Sequence, residues 1–323
     1  MGSRRVSVLV NPAAGGNRGL GRSKNLVAEL ADRGWTVDLL KASSPSEVAA
    51  AITTAADAGM DRLVLAGGDG LIHHALPALV GSAITVGIVP IGTGNDFCRG
   101  LGLPAKRRPA IDSAVGDRTT DVDVIAICRL DGGDRHVRYA ATVVTAGFSG
   151  RVNARANELA DKPGFPKGAS RYSLATVAEI AVLQPVAFTL SVDGQPPRSI
   201  EATLIAVGNT KYFGGGMAVC PQADVTDGAM ELISIAPVSK TTFMRVLPLV
   251  FTGRYVRHQA VTSTRCRSLT ITTAESIWAD GEPLFADHPP TDAGQQPTGT
   301  QRPIVCYELT VMAGALKVAG LQA

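Results

Sequence analysis

Between Val6 and Asp123, short apolar runs alternate with segments of helical period. The runs are Val6 to Val10, Trp35 to Leu40, Leu63 to Ala66 and Thr85 to Pro90. Between them, Arg22 to Arg33, Ser46 to Ala58 and Leu71 to Leu79 repeat their apolar positions at helical spacing, with Pro45 as a start signal ahead of the second. Strand and helix alternating in this way predict a parallel, doubly wound α/β sheet. From Val124 onward the texture becomes β-rich. Arg138 to Thr145, Phe188 to Val192, Ala202 to Val207, Met230 to Ile235, Ser268 to Thr272 and Val305 to Val311 read as strands of an antiparallel sandwich or barrel. Two helical stretches interrupt them, Ser170 to Leu183 and Lys240 to Phe251. Asp161 to Gly168 reads as a Pro/Gly-rich mobile loop and Ala286 to Pro303 as a disordered surface insertion.

A length of 323 residues agrees with two domains, and 45% hydrophobic with 18% charged residues excludes a disordered or fibrous chain. The net charge of +3 gives no support for nucleic acid as a partner. Ala83 to Ile91 is too short to cross a membrane, and Ile304 to Gly320 is interrupted by Glu308 and Lys317. Met1-Gly-Ser-Arg-Arg leads into a β-like run rather than the apolar stretch of a secretory signal, so the cytoplasm is the expected compartment. Five cysteines, Cys98, Cys128, Cys220, Cys266 and Cys306, are scattered and form no C-x-x-C. They are expected to be reduced packing residues.

Three glycine loops follow predicted strands: Asn11-Pro12-Ala13-Ala14-Gly15-Gly16, Gly67-Gly68-Asp69-Gly70 and Gly92-Thr93-Gly94-Asn95-Asp96. Ligands of open α/β sheets bind at the carboxyl ends of strands, and glycine lets the main chain approach a polyphosphate. Asp69 and Asp96 beside phosphate require a cation, which Mg²⁺ arriving with a nucleotide supplies. Any one such loop is more often a plain turn. Three in register, two of them carrying Asp, favour a phosphate site. No Walker A loop occurs, and Phe97 breaks a G-x-G-x-x-G fingerprint after Gly92.

These loops, with Pro90-x-Gly92-Thr93-Gly94-Asn95-Asp96-Phe97-x-Arg99-x-Leu101-Gly102, closely resemble the catalytic-domain signatures of the bacterial diacylglycerol kinase family, which includes sphingosine and ceramide kinases. The resemblance continues through Thr145-Ala-Gly-Phe148, Gly208-Asn209, Gly214-Gly-Gly216, Pro221-x-Ala-Asp224-x-x-Asp227-Gly228 and Asp280-Gly281-Glu282. It implies an N-terminal α/β nucleotide domain, a C-terminal β-sandwich domain and an active site in the cleft between them. The chain end, Ala313 to Gly320, would return to the first domain, giving domains 1–123 plus 313–323 and 124–312. Carried over, Asn11 to Gly15, Gly67 to His73 (with Gly70, Leu71 and Ile72) and Thr93 to Asp96 would contact ATP, and Asp69 and Asp96 would organise the catalytic Mg²⁺. A second, structural Mg²⁺ would sit at Asp227 with main-chain oxygens of Asp224 and Ala229, and Asp280 and Glu282 would flank the reacting hydroxyl. The family's second loop usually ends in Thr where Leu71 stands, and the usual Thr after the second strand falls by spacing on Ala42 or Ser43.

Asp280 and Glu282, two apart, fall on one face of an extended segment, so one carboxylate can take the proton while the other holds water or metal. Asp-Gly is also a common turn dipeptide, and without the upstream loops a solvated turn is the better reading. Asp224 and Asp227 suit an empty surface loop equally well. His73 and His74, adjacent on a helix, point in different directions and favour a helix-surface role over a metal pair. From Val238 to Ala274 there is no Asp or Glu, while Lys240, Arg245, Arg254, Arg257, Arg265 and Arg267 interleave with Phe243, Leu247, Leu249, Val250, Phe251 and Tyr255. The segment suits an anionic membrane, and equally a solvated basic face over a core helix.

The expected activity is ATP-dependent phosphorylation of a diacylglycerol-type lipid by a cytoplasmic protein visiting the inner face of the plasma membrane, with a homodimer left open. The alternatives are a kinase for sphingosine, ceramide, a glycolipid or a nicotinamide dinucleotide, and a decayed kinase fold that binds lipid.

Overall fold

The computed structural model describes residues 4–10, 25–42, 44–130, 136–160, 169–285 and 303–320. Three expectations therefore lie outside the described residues: the first glycine loop, the loop Asp161 to Gly168, and the insertion after Phe285. The chain forms two compact units, Met1–Val124 with Val225–Gly228 and Met312–Ala323, and Ile125–Asp224 with Ala229–Val311.

The first unit contains β1 (Arg4–Val10), α1 (residues 25–31), β2 (Trp35–Leu40), α2 (Pro45–Asp57), β3 (Arg62–Gly67), α3 (Asp69–Leu79), β4 (Thr85–Pro90), α4 (Asp96–Gly100), α5 (Arg107–Ala114) and the start of β5 (Thr119–Arg129). Its sheet runs β2-β1-β3-β4, all parallel. Val6, Val8, Val64, Ala66 and Val89 meet Leu26, Leu30 and Ile111 from the helices, which explains why the strands read as continuous apolar runs. Pro45 occupies the first turn of α2, where its missing N–H costs nothing.

The second unit contains β6 (Val137–Ala140), β7 (Val143–Gly147), α6 (Phe148–Ala160), α7 (Ala169–Ala181), β8 (Val186–Val192), β9 (Arg198–Ala202), β10 (Leu204–Gly208), β11 (Tyr212–Phe213), β12 (Met217–Ala218), β13 (Met230–Ile235), α8 (Lys240–Val246), β14 (Val261–Cys266), β15 (Ser268–Thr273), β16 (Ile277–Ala279), β17 (Glu282–Pro283) and most of β18 (Val305–Ala319). An antiparallel sheet in the order β14-β13-β10-β7-β16-β17 carries alternating residues, such as Val144, Ala146, Ile205, Val207 and Leu232, into a core shared with Phe188, Leu190, Leu269, Ile271, Tyr307 and Leu309. Two inner faces sharing one core make a β-sandwich.

Four sequence expectations are corrected here. Arg138 to Thr145 is two strands, interrupted at Ala141 and Thr142, whose backbone groups are used by side chains described below. Ala202 to Val207 is likewise split at Thr203, whose N–H donates to Ile235 O at 2.7 Å. The helix from Lys240 stops at Val246 and continues as a 3₁₀ turn, Leu247–Thr252, because Pro248 has no N–H to donate and its ring obstructs the preceding turn. β18 runs far past Val311, and Lys317 and Val318 pair in parallel with Thr85 and Val86 of β4. The cysteines are all free thiols, with Cys98, Cys220 and Cys266 buried.

Asp123 is 2% exposed, and its carboxylate binds three segments of the first unit together. Oδ2 accepts from Gly228 N at 2.7 Å and Oδ1 from Gly314 N at 2.8 Å, while Asp123 N donates to Val225 O at 2.7 Å. Asp123→Ala leaves two amides without these acceptors and is expected to cost about 3 kcal/mol of stability, read as a lower urea midpoint. A midpoint equal to the parent's contradicts this role.

Candidate active site

The strand order reverses between β1 and β3, and such a reversal opens a ligand crevice at the carboxyl ends of the strands. The register makes those ends level: Val10 stands opposite Ala66, and Gly67 opposite Pro90. Ile91 N then donates to Gly67 O at 3.0 Å, so the second and third glycine loops leave the sheet side by side.

Beyond this point the two loops touch through their main chains. A Cβ on Gly92 would stand 2.5 Å from Gly68 Cα, and one on Gly68 would stand 3.0 Å from Gly92 Cα. No side chain fits at Gly92 unless the loops separate. Asn95, in the left-handed region at φ 51°, folds back on the same glycine: Gly92 N donates to Oδ1 at 3.0 Å, and Nδ2 donates to Gly92 O at 2.9 Å. Asp69 opens α3 and reaches the start of α4, where Oδ2 accepts from Asp96 N at 3.1 Å and Oδ1 from Phe97 N at 3.0 Å. Two charge-assisted bonds thus join the loops through one carboxylate. Burial and the neighbouring Asp69 charge push the Cys98 thiol up to about 12, which keeps it protonated and unreactive.

The remaining predicted nucleotide residues sort by exposure. Ile72 is buried, Gly70, His73 and Gly94 are half-buried, Thr93 is exposed and Asp96 is 5% exposed. Leu71 is buried with its Cδ2 only 2.5 Å from the position a Cβ on Gly67 would take, so an apolar contact fills the place where the resemblance expects a hydroxyl. His73 and His74 meet edge to face with ring centroids 5.4 Å apart. The pair is half-buried rather than spread over the helix surface. Asn11, Pro12, Ala13, Ala14 and Gly15 lie outside the described residues, as does Ser43, while Ala42 is buried.

In the second unit, Asp280 and Glu282 do not lie on an extended face. Asp280 at φ 54° and Gly281 at φ 89° form the two-residue turn between β16 and β17, the primed geometry that Asp-Gly favours in hairpins. Asp280 is turned inward on the gap between β6 and β7: Oδ1 accepts from Thr142 N at 2.7 Å and Thr142 Oγ1 at 2.6 Å, and Oδ2 from Ala141 N at 3.0 Å. Asn209 completes the repair, with Nδ2 donating to Ala141 O at 2.9 Å and its backbone N to Thr142 O at 2.8 Å. Glu282 is half-buried, and its carboxylate has no hydrogen-bond or ion-pair partner among the described residues. The two carboxylates therefore differ in kind: one is consumed in holding backbone, the other is available.

Asp224 is exposed, and Asp227 is half-buried in the turn that follows, with Ala229 buried beyond it. Among the described residues no group of three or more His, Cys, Asp or Glu is placed to hold a metal ion. Magnesium bound with a nucleotide needs only one or two carboxylates besides phosphate and water, so the lack of such a group does not bear on it.

Comparison with known proteins decides the family. Residues 5–127 match the diacylglycerol kinase catalytic domain, and residues 142–318 match the YegS C-terminal NAD kinase beta sandwich-like domain. A curated diacylglycerol kinase of Mycobacterium tuberculosis (strain H37Rv) is 32% identical over 298 residues, covering 92% of this chain and 94% of that protein. The chain belongs to the diacylglycerol kinase family. A protein of Pectobacterium atrosepticum named "Probable lipid kinase YegS-like" is 28% identical, with 86% of this chain and 89% of that protein covered. The crystal structure of a diacylglycerol kinase from Bacillus anthracis (strain Sterne) superposes with a TM-score of 0.66 at 17% identity, covering 98% and 97% of the two chains, and shares the fold. As a family member the chain is an ATP-dependent lipid kinase, built from an N-terminal α/β part and a C-terminal β-sandwich of the diacylglycerol kinase and NAD kinase type.

Sequence reading missed Asn95 as the loop clamp, Thr142 and Asn209 as partners of the strand gap, and Asp123. The last carried a signal, since a carboxylate between Val122 and Val124 in an apolar run is rarely buried without a task. Gly92→Ala pushes the two loops apart and is expected to weaken ATP binding at least about tenfold with circular dichroism unchanged, measured by titration calorimetry. Parent-like affinity contradicts the role given to the glycine contact.

Proposed function

We propose that this lipid kinase transfers the γ-phosphate of ATP to the free hydroxyl of a diacylglycerol, giving phosphatidic acid and ADP. The observation that carries the reading is the contact of Gly68 with Gly92, tied by Asp69 and Asn95, which brings two glycine loops together at the carboxyl ends of β3 and β4, where open α/β sheets receive their ligands. Mg²⁺ bound with the triphosphate neutralises its oxygens, and Asp69 and Asp96 are the residues that would hold it. The identity to a curated diacylglycerol kinase supports the acceptor class.

In this reading Glu282 accepts the hydroxyl proton as the acceptor oxygen bonds to the γ-phosphorus and the bond to the β-phosphate oxygen breaks. Asp280 serves as a positioning residue. Both its oxygens already accept hydrogen bonds, and taking a proton would sacrifice one of them. Asp280 thereby fixes the turn that carries Glu282.

Incubation with γ-labelled ATP, Mg²⁺ and micelles of diacylglycerol, sphingosine or ceramide separates the acceptors. Label is expected in phosphatidic acid. Label in another lipid alone reassigns the substrate, and label in none favours a decayed, lipid-binding fold. Glu282→Gln is expected to lower kcat by about 10² to 10⁴ with KM for ATP unchanged and thermal stability retained. Asp280→Asn is expected to lower melting temperature and activity together. The reverse pattern would exchange the two roles.

A further inference from the structure

The acid-free stretch from Val238 to Ala274 is not uniformly available to a partner. Phe243 is 7% exposed and stacks edge-on against Phe148 with centroids 4.7 Å apart, and Tyr255 is 1% exposed with its hydroxyl donating to the Val219 carbonyl. These two aromatic rings are anchors of the fold, so they are not part of any face the segment could offer to a membrane. Gly253, at φ 68°, reverses the chain between the 3₁₀ turns Leu247–Thr252 and Arg254–Arg257, and a Cβ there would stand 2.8 Å from Pro221 Cβ. The segment is thus pinned to the second unit at three points.

What the pinning leaves outside is apolar and cationic together. Met244 is 61% exposed, Phe251 60% and Leu249 42%. Arg245, Arg254 and Arg257 are exposed, and among the described residues none of them has a carboxylate partner. Lys240 Nζ donates to Ala181 O, which sets Val182, 54% exposed, beside the start of α8. Met244, Leu249 and Phe251 fall within one eight-residue stretch beside these cations, rather than singly over the surface.

We propose that this edge, Lys240 to Arg257, seats the protein on an anionic lipid bilayer, with Met244, Leu249 and Phe251 entering the headgroup and acyl boundary while Arg245, Arg254 and Arg257 meet lipid phosphates. Charge selects this occupant. Thirty-seven residues without one carboxylate repel nothing on an anionic surface, whereas a second copy would bring the same arginines face to face. The proposal rests on the lipid-kinase reading only for its biological use, because binding is measured without nucleotide.

Flotation of the full chain on phosphatidylglycerol–phosphatidylcholine vesicles, against phosphatidylcholine alone, tests it. Binding is expected on the anionic vesicles and not on the neutral ones. The variant Arg254→Ser with Arg257→Ser is expected to bind roughly thirty-fold more weakly, at about fivefold for each basic residue near the surface. Phe251→Ser is expected to weaken binding about tenfold at unchanged melting temperature. Both variants are expected to phosphorylate detergent-dispersed acceptor at the parent rate, so a lost membrane contact is separable from a lost reaction. Equal flotation on both vesicle types, unchanged binding by the variants, or a dimer that Phe251→Ser converts to monomer overturns the proposal.

Discussion

The constraint on which the first unit's chemistry depends is the registration of two parallel strands. Gly67 is paired with Pro90, so the chain leaving β3 and the chain leaving β4 must occupy the same few ångströms. Side chains at both Gly68 and Gly92 would exclude each other, and their absence converts a steric conflict into main-chain contact. Hydrogen bonds from Asp69 and Asn95 then fix the contact, since each spans the loops or closes one on itself. The contact sits at the carboxyl ends of the parallel strands, where ligands of open α/β sheets bind.

The second unit solves a different problem with similar means. A strand that would run unbroken through Arg138 to Thr145 is opened at Ala141 and Thr142, and an opened buried strand must satisfy its freed amides and carbonyls. Asp280 takes the donors, and Asn209 donates to the carbonyls of Ala141 and Thr142. The cost of the break is offset by fixing the Asp-Gly turn, and with it the carboxylate of Glu282. Under the proposed mechanism, structural and chemical roles are divided between residues two positions apart.

Much of this was legible from sequence. Parallel strands buried on both faces announce themselves as apolar runs, and β4 ends where its run ends. The α/β part, the β-rich part and the glycine loops follow from such patterns. What escaped was set by contacts distant in sequence. Nothing local distinguishes Arg138 to Thr145 from a continuous strand, because the interruption is stabilised by a residue some 140 positions away. Asp280 and Glu282 obey an extended spacing only if the intervening glycine keeps negative φ, and it does not. Phe243 and Phe251 belong to the same amphipathic-looking stretch, yet Pro248 ends the helix between them and sends one inward and one outward.

The central claim is that the paired glycine loops of the first unit form the nucleotide phosphate site. Backbone amide chemical shifts followed during titration with Mg·ATP test it most directly. The account predicts that the largest changes cluster at Gly68, Asp69 and Gly70 and at Gly92 through Asp96. Saturable binding with those amides unmoved, and the changes gathered in another part of the molecule, would contradict it.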